Sequence, residues 1–221
     1  MLMKRIRIFL IIVAVVLPLF AKGEKAPADT LTASDVFVSM PISVLDLLDR
    51  SRRLDMLDYY AADSIAKVPN AMEGVSFLDK VTPDYLKANL TPVTTIAIKV
   101  LPSKRGDVVM TAYTIGDKDQ AYDTDLRFFN SAYRELKRDK YIKIATLDDF
   151  FDYPDKDAKK LVAELVPFPT VRYEPDPTGT GMTAQLTVGQ FMSADDYARI
   201  KSFMRPQLHY RWDGSKFNLE K

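Results

Sequence analysis

Apolar residues return along this chain in two rhythms, and the switch from one to the other outlines a fold. Val44, Leu47, Leu54, Leu57 and Ala61 recur at helical spacing. That pattern predicts an amphipathic helix over residues 43–62, opening at Ser43 and turning Arg52, Arg53, Asp55 and Asp58 away from the core. Just before it, Thr32 and Asp35 have the spacing of a capping box. They predict a short helix carrying Val36, Phe37 and Met40, which must yield near Pro41 because proline has no N–H to give. Between Asn70 and Thr91, Phe77, Leu78, Tyr85 and Leu90 lie among turn formers around Pro83, a pattern for one or two short strands.

From Pro92 the period becomes two. Thr94, Ile96, Ile98 and Val100 alternate with Thr95, Ala97 and Lys99, as in a strand with two unlike faces. A turn at Ser103–Gly106, a strand over 108–115, a turn at Gly116–Gln120 and a third strand with Tyr122, Leu126 and Phe128 complete a meander. Further on, residues 131–144 hold the helix-prone SAYRELKRDK, and 146–151 read as a short helical turn. A helix is expected from Asp152 and Pro154 to Val166, stopped by Pro167 and Pro169. Thr170–Glu174 and Met182–Phe191 read as a hairpin across DPTGTG. Ser193 and Asp196 cap a helix bearing Tyr197, Ile200, Phe203 and Met204. Leu208, Tyr210 and Trp212 then alternate before a turn at Asp213-Gly214 and a return strand with Phe217. The class is α+β, helices packed on antiparallel meander sheets. The chain divides into two similar helix-plus-strands halves: 32–130, with its meander at 93–130, and 131–221, packed on the first.

The amino terminus follows neither rhythm. Lys4, Arg5 and Arg7 precede an unbroken apolar run from Ile8 to Phe20. The run is too short for the ~20 residues of a spanning helix but suits a secretion signal. Small residues at Ala21 and Gly23 place the cut after residue 23, and Ala26 and Ala28 place it as late as 28; residues 24–31 form a flexible lead-in. An uncleaved anchor is the competing reading. Export to the periplasm or medium, with no transmembrane anchor once the signal is removed, is the expectation. With no cysteine in the chain, a lipoprotein anchor at the cut and disulfides are both excluded, and a chain of 221 residues can bury a core without staples.

Charge changes the picture only after that cut. The formal charge of the whole chain is +1, but removing Lys4, Arg5, Arg7 and Lys22 leaves 27 basic against 30 acidic residues. A mildly acidic domain with scattered charges lacks the basic footprint of a nucleic-acid binder.

The stretches FVSMPISVLDLLDRSRRLDMLDYY (37–60), VPNAMEGVSFLDKVTPDYLKANLT (68–91) and IAIKVLP (96–102) carry a Met40-Pro41 pair before a leucine-rich helix. They also carry the segment Arg53-Leu54-Asp55-Met56-Leu57-Asp58. In these features, and in its ending YRWDG..F (210–217), the sequence resembles a family of uncharacterised exported proteins from Bacteroidales. Asp46 departs from the pattern, where a proline is expected. The resemblance implies a Gram-negative envelope location and brings no assigned activity and no catalytic residue.

Candidate chemistry is sparse. His209 is the single histidine. A zinc site would need carboxylates to complete it, and a Ser–His–Asp arrangement would need a nucleophile beside this one imidazole. Alternation along 208–212 sets His209 with Arg211 on a polar sheet face. Asp117, Asp119, Asp123 and Asp125 are the candidate metal ligands, at a spacing like the start of a calcium loop. The middle glycine is absent, however, and Phe128 stands where the bidentate Glu belongs. A solvated hairpin turn explains them equally. Asp148, Asp149, Asp152, Asp155 and Asp157 read as helix starts, where carboxylates favour the dipole. Gly179-Thr180-Gly181 precedes a strand pattern, not the helix that a phosphate cradle needs. Tyr173, Tyr210 and Trp212 would make a stacking platform unless they fill the core.

The reading is therefore an exported, non-enzymatic module of the bacterial envelope that binds a protein or peptide partner, with His209, Arg211 and Tyr173 as candidate binding residues. It calls for no cofactor, calcium being the one ion the aspartates would fit. A carboxylate-based hydrolase or a calcium-dependent glycan-binding protein is the alternative.

Overall fold

The computed structural model describes residues 31–64, 67–117 and 121–220. The signal and cleavage readings, and all of the lead-in except Leu31, fall outside these residues, as does Asp119.

Helix α1 (Ala33–Ser39) begins as its capping box requires: the Asp35 N–H donates to Thr32 Oγ1 at 3.1 Å and the Thr32 N–H to the Asp35 carboxylate at 3.2 Å. Pro41 ends it. The helix expected from Ser43 starts later, as α2 (Arg50–Ala61), because the Asp49 carboxylate accepts the Arg52 N–H at 2.9 Å and caps the chain there. Residues 42–48 form turns whose Leu45 and Leu48 are buried.

The face of α2 also differs from its expected one. Leu54 is 38% exposed, while Met56 and Arg53 are 1% and 2% exposed. A buried guanidinium must find acceptors. Arg53 donates to the carbonyls of Leu48 at 2.8 Å, Leu45 at 2.8 Å and Phe37 at 3.2 Å, and also to that of Met40. It thereby gathers the end of α1 and the whole turn onto α2.

Seven strands follow in sequential order: β1 (Val68–Pro69), β2 (Val75–Val81), β3 (Tyr85–Thr91), β4 (Thr94–Leu101), β5 (Val108–Ile115), β6 (Asp123–Phe129) and β7 (Glu135–Leu136). All pair antiparallel. The turn from β5 to β6 depends on Gly116, at φ +130°, where a Cβ would lie 2.3 Å from the Ala121 carbonyl oxygen. Each central strand is buried on both faces. Leu86, Ala88, Ile96, Ile98 and Val109 pack toward α1 and α2, whereas Tyr85, Ala97, Leu101, Met110, Ala112 and Phe128 face the other way. The alternation of β4 is therefore corrected in one respect: it is not a strand with two unlike faces, since Ala97, Lys99 and Leu101 are buried as well as Ile96, Ile98 and Val100.

The second face is covered by a four-stranded antiparallel sheet, ordered β11-β10-β9-β8, made of β8 (Val171–Pro175), β9 (Gly181–Leu186), β10 (Leu208–Trp212) and β11 (Phe217–Leu219). Helices α3 (Lys156–Leu165) and α4 (Ala194–Lys201) add Val162 and Ile200 to the same core. The α+β class holds: the described residues form four α-helices and two antiparallel sheets.

Three local expectations are corrected. Residues 131–144 form no α-helix, because Asn130 Oδ1 accepts the N–H groups of Ala132 and Arg134, each at 3.0 Å. That turn puts Tyr133 at φ +57° and sends the chain into β7, followed by a 3-10 turn at Arg138–Lys140. Helix α3 starts at Asp155, whose carboxylate accepts the Ala158 N–H at 2.7 Å, while Asp152 pairs with Arg205 instead. The second hairpin strand ends at Leu186, since the Thr187 N–H turns to the Thr170 carbonyl and a 3-10 turn follows over Val188–Gln190.

The two sheets meet through side chains. The Tyr173 N–H of β8 donates to Thr124 Oγ1 at 3.1 Å and the Val171 N–H to Asp123 Oδ1 at 3.3 Å. Thr187 Oγ1 reaches the Tyr122 carbonyl at 2.6 Å. The free edge of β8 is satisfied by β6 and blunted by Pro175, so it offers little to another strand.

Candidate functional site

A cleft of about 490 Å3 opens where β2 and β3 of the larger sheet approach the β8–β9 hairpin and β10. Its depth is apolar and aromatic, with Tyr85, Met182 and Tyr210 all buried. Its rim carries charge: Asp79 and Lys80 from β2, Lys87 from β3, Glu174 from β8, Asp176 from the hairpin turn, and Glu220 beside His209. Four carboxylates thus stand against two ammonium groups. The Lys80–Lys87 pair sits directly across β2 and β3. Like charges facing each other across strands are unfavourable, and the surrounding carboxylates offset them; Lys87 lies 3.7 Å from Asp79.

The rim is fixed from below. Lys99 on β4 is 1% exposed, and its ammonium lies 2.8 Å from the Asp84 carboxylate and over the Tyr85 ring at 5.8 Å. Thr82 Oγ1 donates to Asp84 at 3.1 Å, or to the Pro177 carbonyl at 3.3 Å, so one small network ties the β2–β3 turn to the β8–β9 turn. The Thr178 N–H holds the Asp176 carboxyl below the usual carboxylate range, helped by the Gly179 N–H, the Thr178 hydroxyl and the Lys99 charge, against the opposing effect of burial. Burial, then the charges of Glu174 and Asp79, pushes the Tyr85 phenol up to about 12. Tyr85 is therefore a neutral donor across the physiological range.

His209 lies at this cleft, exposed on the outer face of β10 with Arg211 on the same face, as the alternation implies. Tyr173 lies elsewhere: it is 3% exposed, its hydroxyl accepts the Ala145 N–H at 2.9 Å and its ring packs against Tyr210 at 6.2 Å. Tyr210 and Trp212 are buried with it, so the three rings fill the core and present no platform. Of the four aspartates, Asp123 accepts the Val171 N–H, and Asp125 lies 3.7 Å from Arg138. Among the described residues, no group of three or more His, Asp or Glu side chains gathers to hold a metal ion.

The residues that build the cleft carry no linear signature. Asp79, Tyr85, Glu174 and Glu220 are separated in sequence and meet only because the smaller sheet folds back over the larger. The one local signal was Asp176 in DPTGTG, which reads correctly as a turn.

The model of a family described as "Protein of unknown function (DUF3256)" matches residues 28–217. Among solved structures, a domain of an uncharacterized protein from Porphyromonas gingivalis W83 shares the fold at a TM-score of 0.73. The likeness covers 85% of this chain and 96% of that one, at 18% identity, which speaks to fold alone. None of the curated proteins matches the chain.

Proposed function

The chain belongs to the DUF3256 family of proteins of unknown function, and from that starting point we propose that it is a binding module whose inter-sheet cleft takes a basic segment of a polypeptide. One observation carries this reading. Four carboxylates converge from β2, β8, the β8–β9 turn and the residue after β11 on one open cleft, over buried tyrosines; Lys87 pairs Asp79 and Arg172 pairs Glu174, while Asp176 and Glu220 have no ion-pair partner among the described residues. Such a rim attracts lysine and arginine side chains and rejects acidic ones, which gives charge selection on top of whatever contact the apolar depth supplies. Asp176 is already tied to backbone N–H groups and Glu174 to Arg172 at 2.6 Å, so much of the surface is set before any partner arrives.

The basic amino terminus, the apolar run and the small residues after it support delivery of this module to the bacterial envelope. No helix among the described residues is long and apolar enough to cross a membrane.

The test is fluorescence anisotropy with a labelled decapeptide rich in lysine and arginine, beside its glutamate-substituted counterpart. The basic peptide should bind saturably and the acidic one should not. Replacing Asp79→Asn together with Glu220→Gln, both exposed, should weaken binding about tenfold. Equal binding of the two peptides, or an unchanged affinity in the variant, would remove the proposal.

A further inference from the structure

A second cleft, of about 520 Å3, is assembled from four separate stretches: the β4–β5 turn, the loop into β7, the 3-10 turn with its following Tyr141, and the β10–β11 turn. Its lining has the opposite balance to the first. Lys104, Arg105 and Lys140 contribute three cations against the single carboxylate of Asp107, and the serines 103, 131 and 215 line it too. Among the described residues, none of the three cations is ion-paired.

The site is built on rigid parts. Trp212 Nε1 donates to the Pro102 carbonyl at 2.8 Å and ties the β10–β11 turn to the β4–β5 turn. Tyr141 stacks between Phe128 at 5.1 Å and Trp212 at 6.4 Å, so only its edge is left for the cleft. Ser103 closes the β4–β5 turn by accepting the N–H groups of Arg105 and Gly106, which leaves Lys104 and Arg105 at the tip. The nearby Asp213 carboxylate does not line the cleft. It is occupied by Ser215, the Lys216 N–H and Asn218 within its own turn, so it leaves the three cations unneutralised. Gly106 and Gly214, at φ +101° and +92°, have no atom within 4 Å of where a Cβ would stand, so their backbone is open to a ligand.

Three unpaired cations, with the Ser103 and Ser131 hydroxyls beside them, match an oxyanion bearing several acceptor oxygens, and the planar fork of an arginine favours phosphate geometry. The volume exceeds a bare phosphate and falls in the roughly 300–1,000 Å3 range of small-molecule sites. We propose that this cleft binds a phosphate ester on a sugar-sized body, separately from the peptide cleft. The ester would come either from a soluble sugar phosphate or from an anionic lipid headgroup.

The experiment follows backbone amide resonances of the protein during three titrations: inorganic phosphate, glucose 1-phosphate, and vesicles of phosphatidylglycerol in phosphatidylcholine. The expected result is a saturable shift of the Gly106 and Gly214 amides with glucose 1-phosphate, larger than with phosphate alone. It should weaken about tenfold in the Lys104→Glu, Arg105→Glu variant. Both residues are exposed on a turn, so that variant should keep its melting temperature. Vesicle binding without a response to glucose 1-phosphate, lost in the same variant, supports the lipid source. No perturbation by any probe, or one that survives the variant, overturns the site. Binding of the basic peptide should persist in this variant, so failure of one site is distinguishable from failure of the other.

Discussion

At the scale of single residues, Arg53 does most to hold α1 and the turn after it against α2. Burial lowers its pKa, which the charge of Asp49 opposes, and its guanidinium donates to the carbonyls of Phe37, Met40, Leu45 and Leu48. Replacing it by methionine fills similar space but leaves those carbonyls buried without donors, each orphan costing about 1–3 kcal/mol. Arg53→Met should therefore lower unfolding stability by about 3 kcal/mol or more, read from the urea midpoint. Arg53→Lys should recover little, because one ammonium cannot reach donors fanned across a turn. Tyr85 makes a second residue-scale prediction. Its folded pKa of about 12 lies above the ordinary 10, so above pH 10 the unfolded chain releases a proton that the native state keeps. The contribution is complete below pH 10 and is lost as pH rises toward 12. A native-state ultraviolet titration should show several phenols ionising late, since burial raises Tyr153 and Tyr210 as well, and Tyr85→Phe should reduce that late amplitude by one phenol.

At the scale of elements, the junction between the sheets rests on hydroxyls and a carboxylate that take the place of strand pairing. Thr124→Val keeps the shape but leaves the Tyr173 N–H without its acceptor, at about 1–3 kcal/mol. Hydrogen exchange should then speed at Tyr173 while Ala97 in the centre of the larger sheet stays protected; equal loss at both would mean that the junction and the sheet open as one unit. The strands around that junction were legible in the sequence because their two-residue period and their turn residues agree: β4, β5, β6, the β8–β9 hairpin and the β10–β11 return stand where alternation puts them. The helix starts were not all legible. Ser43 and Asp49 are both able caps, and the choice of Asp49 follows from Arg53 pulling the intervening carbonyls inward, a tertiary effect without a local trace. In SAYRELKRDK the helix-forming side chains are real, but the Asn130 turn just before them and the Arg127–Glu135 pair at 3.0 Å commit the segment to β7.

At the scale of the whole described unit, the larger sheet lies between α1 and α2 on one face and the smaller sheet on the other. That layering creates both clefts. Neither was visible along the chain, since each is built from residues far apart in sequence whose charges acquire meaning only on convergence. Of His209, Arg211 and Tyr173, His209 lines the acid-rimmed cleft, and its place was legible from alternation alone. The central claim is that the acid-rimmed cleft recognises a basic peptide. It is tested most directly by mapping where such a peptide lands, through cross-saturation from the peptide to the amides of the protein. The account predicts transfer concentrated at Lys87, Thr183 and His209, the amides around that cleft, with the β4–β5 turn at Lys104 and Arg105 silent. Transfer at the β4–β5 turn, or spread evenly over the surface with none at Thr183, would contradict it.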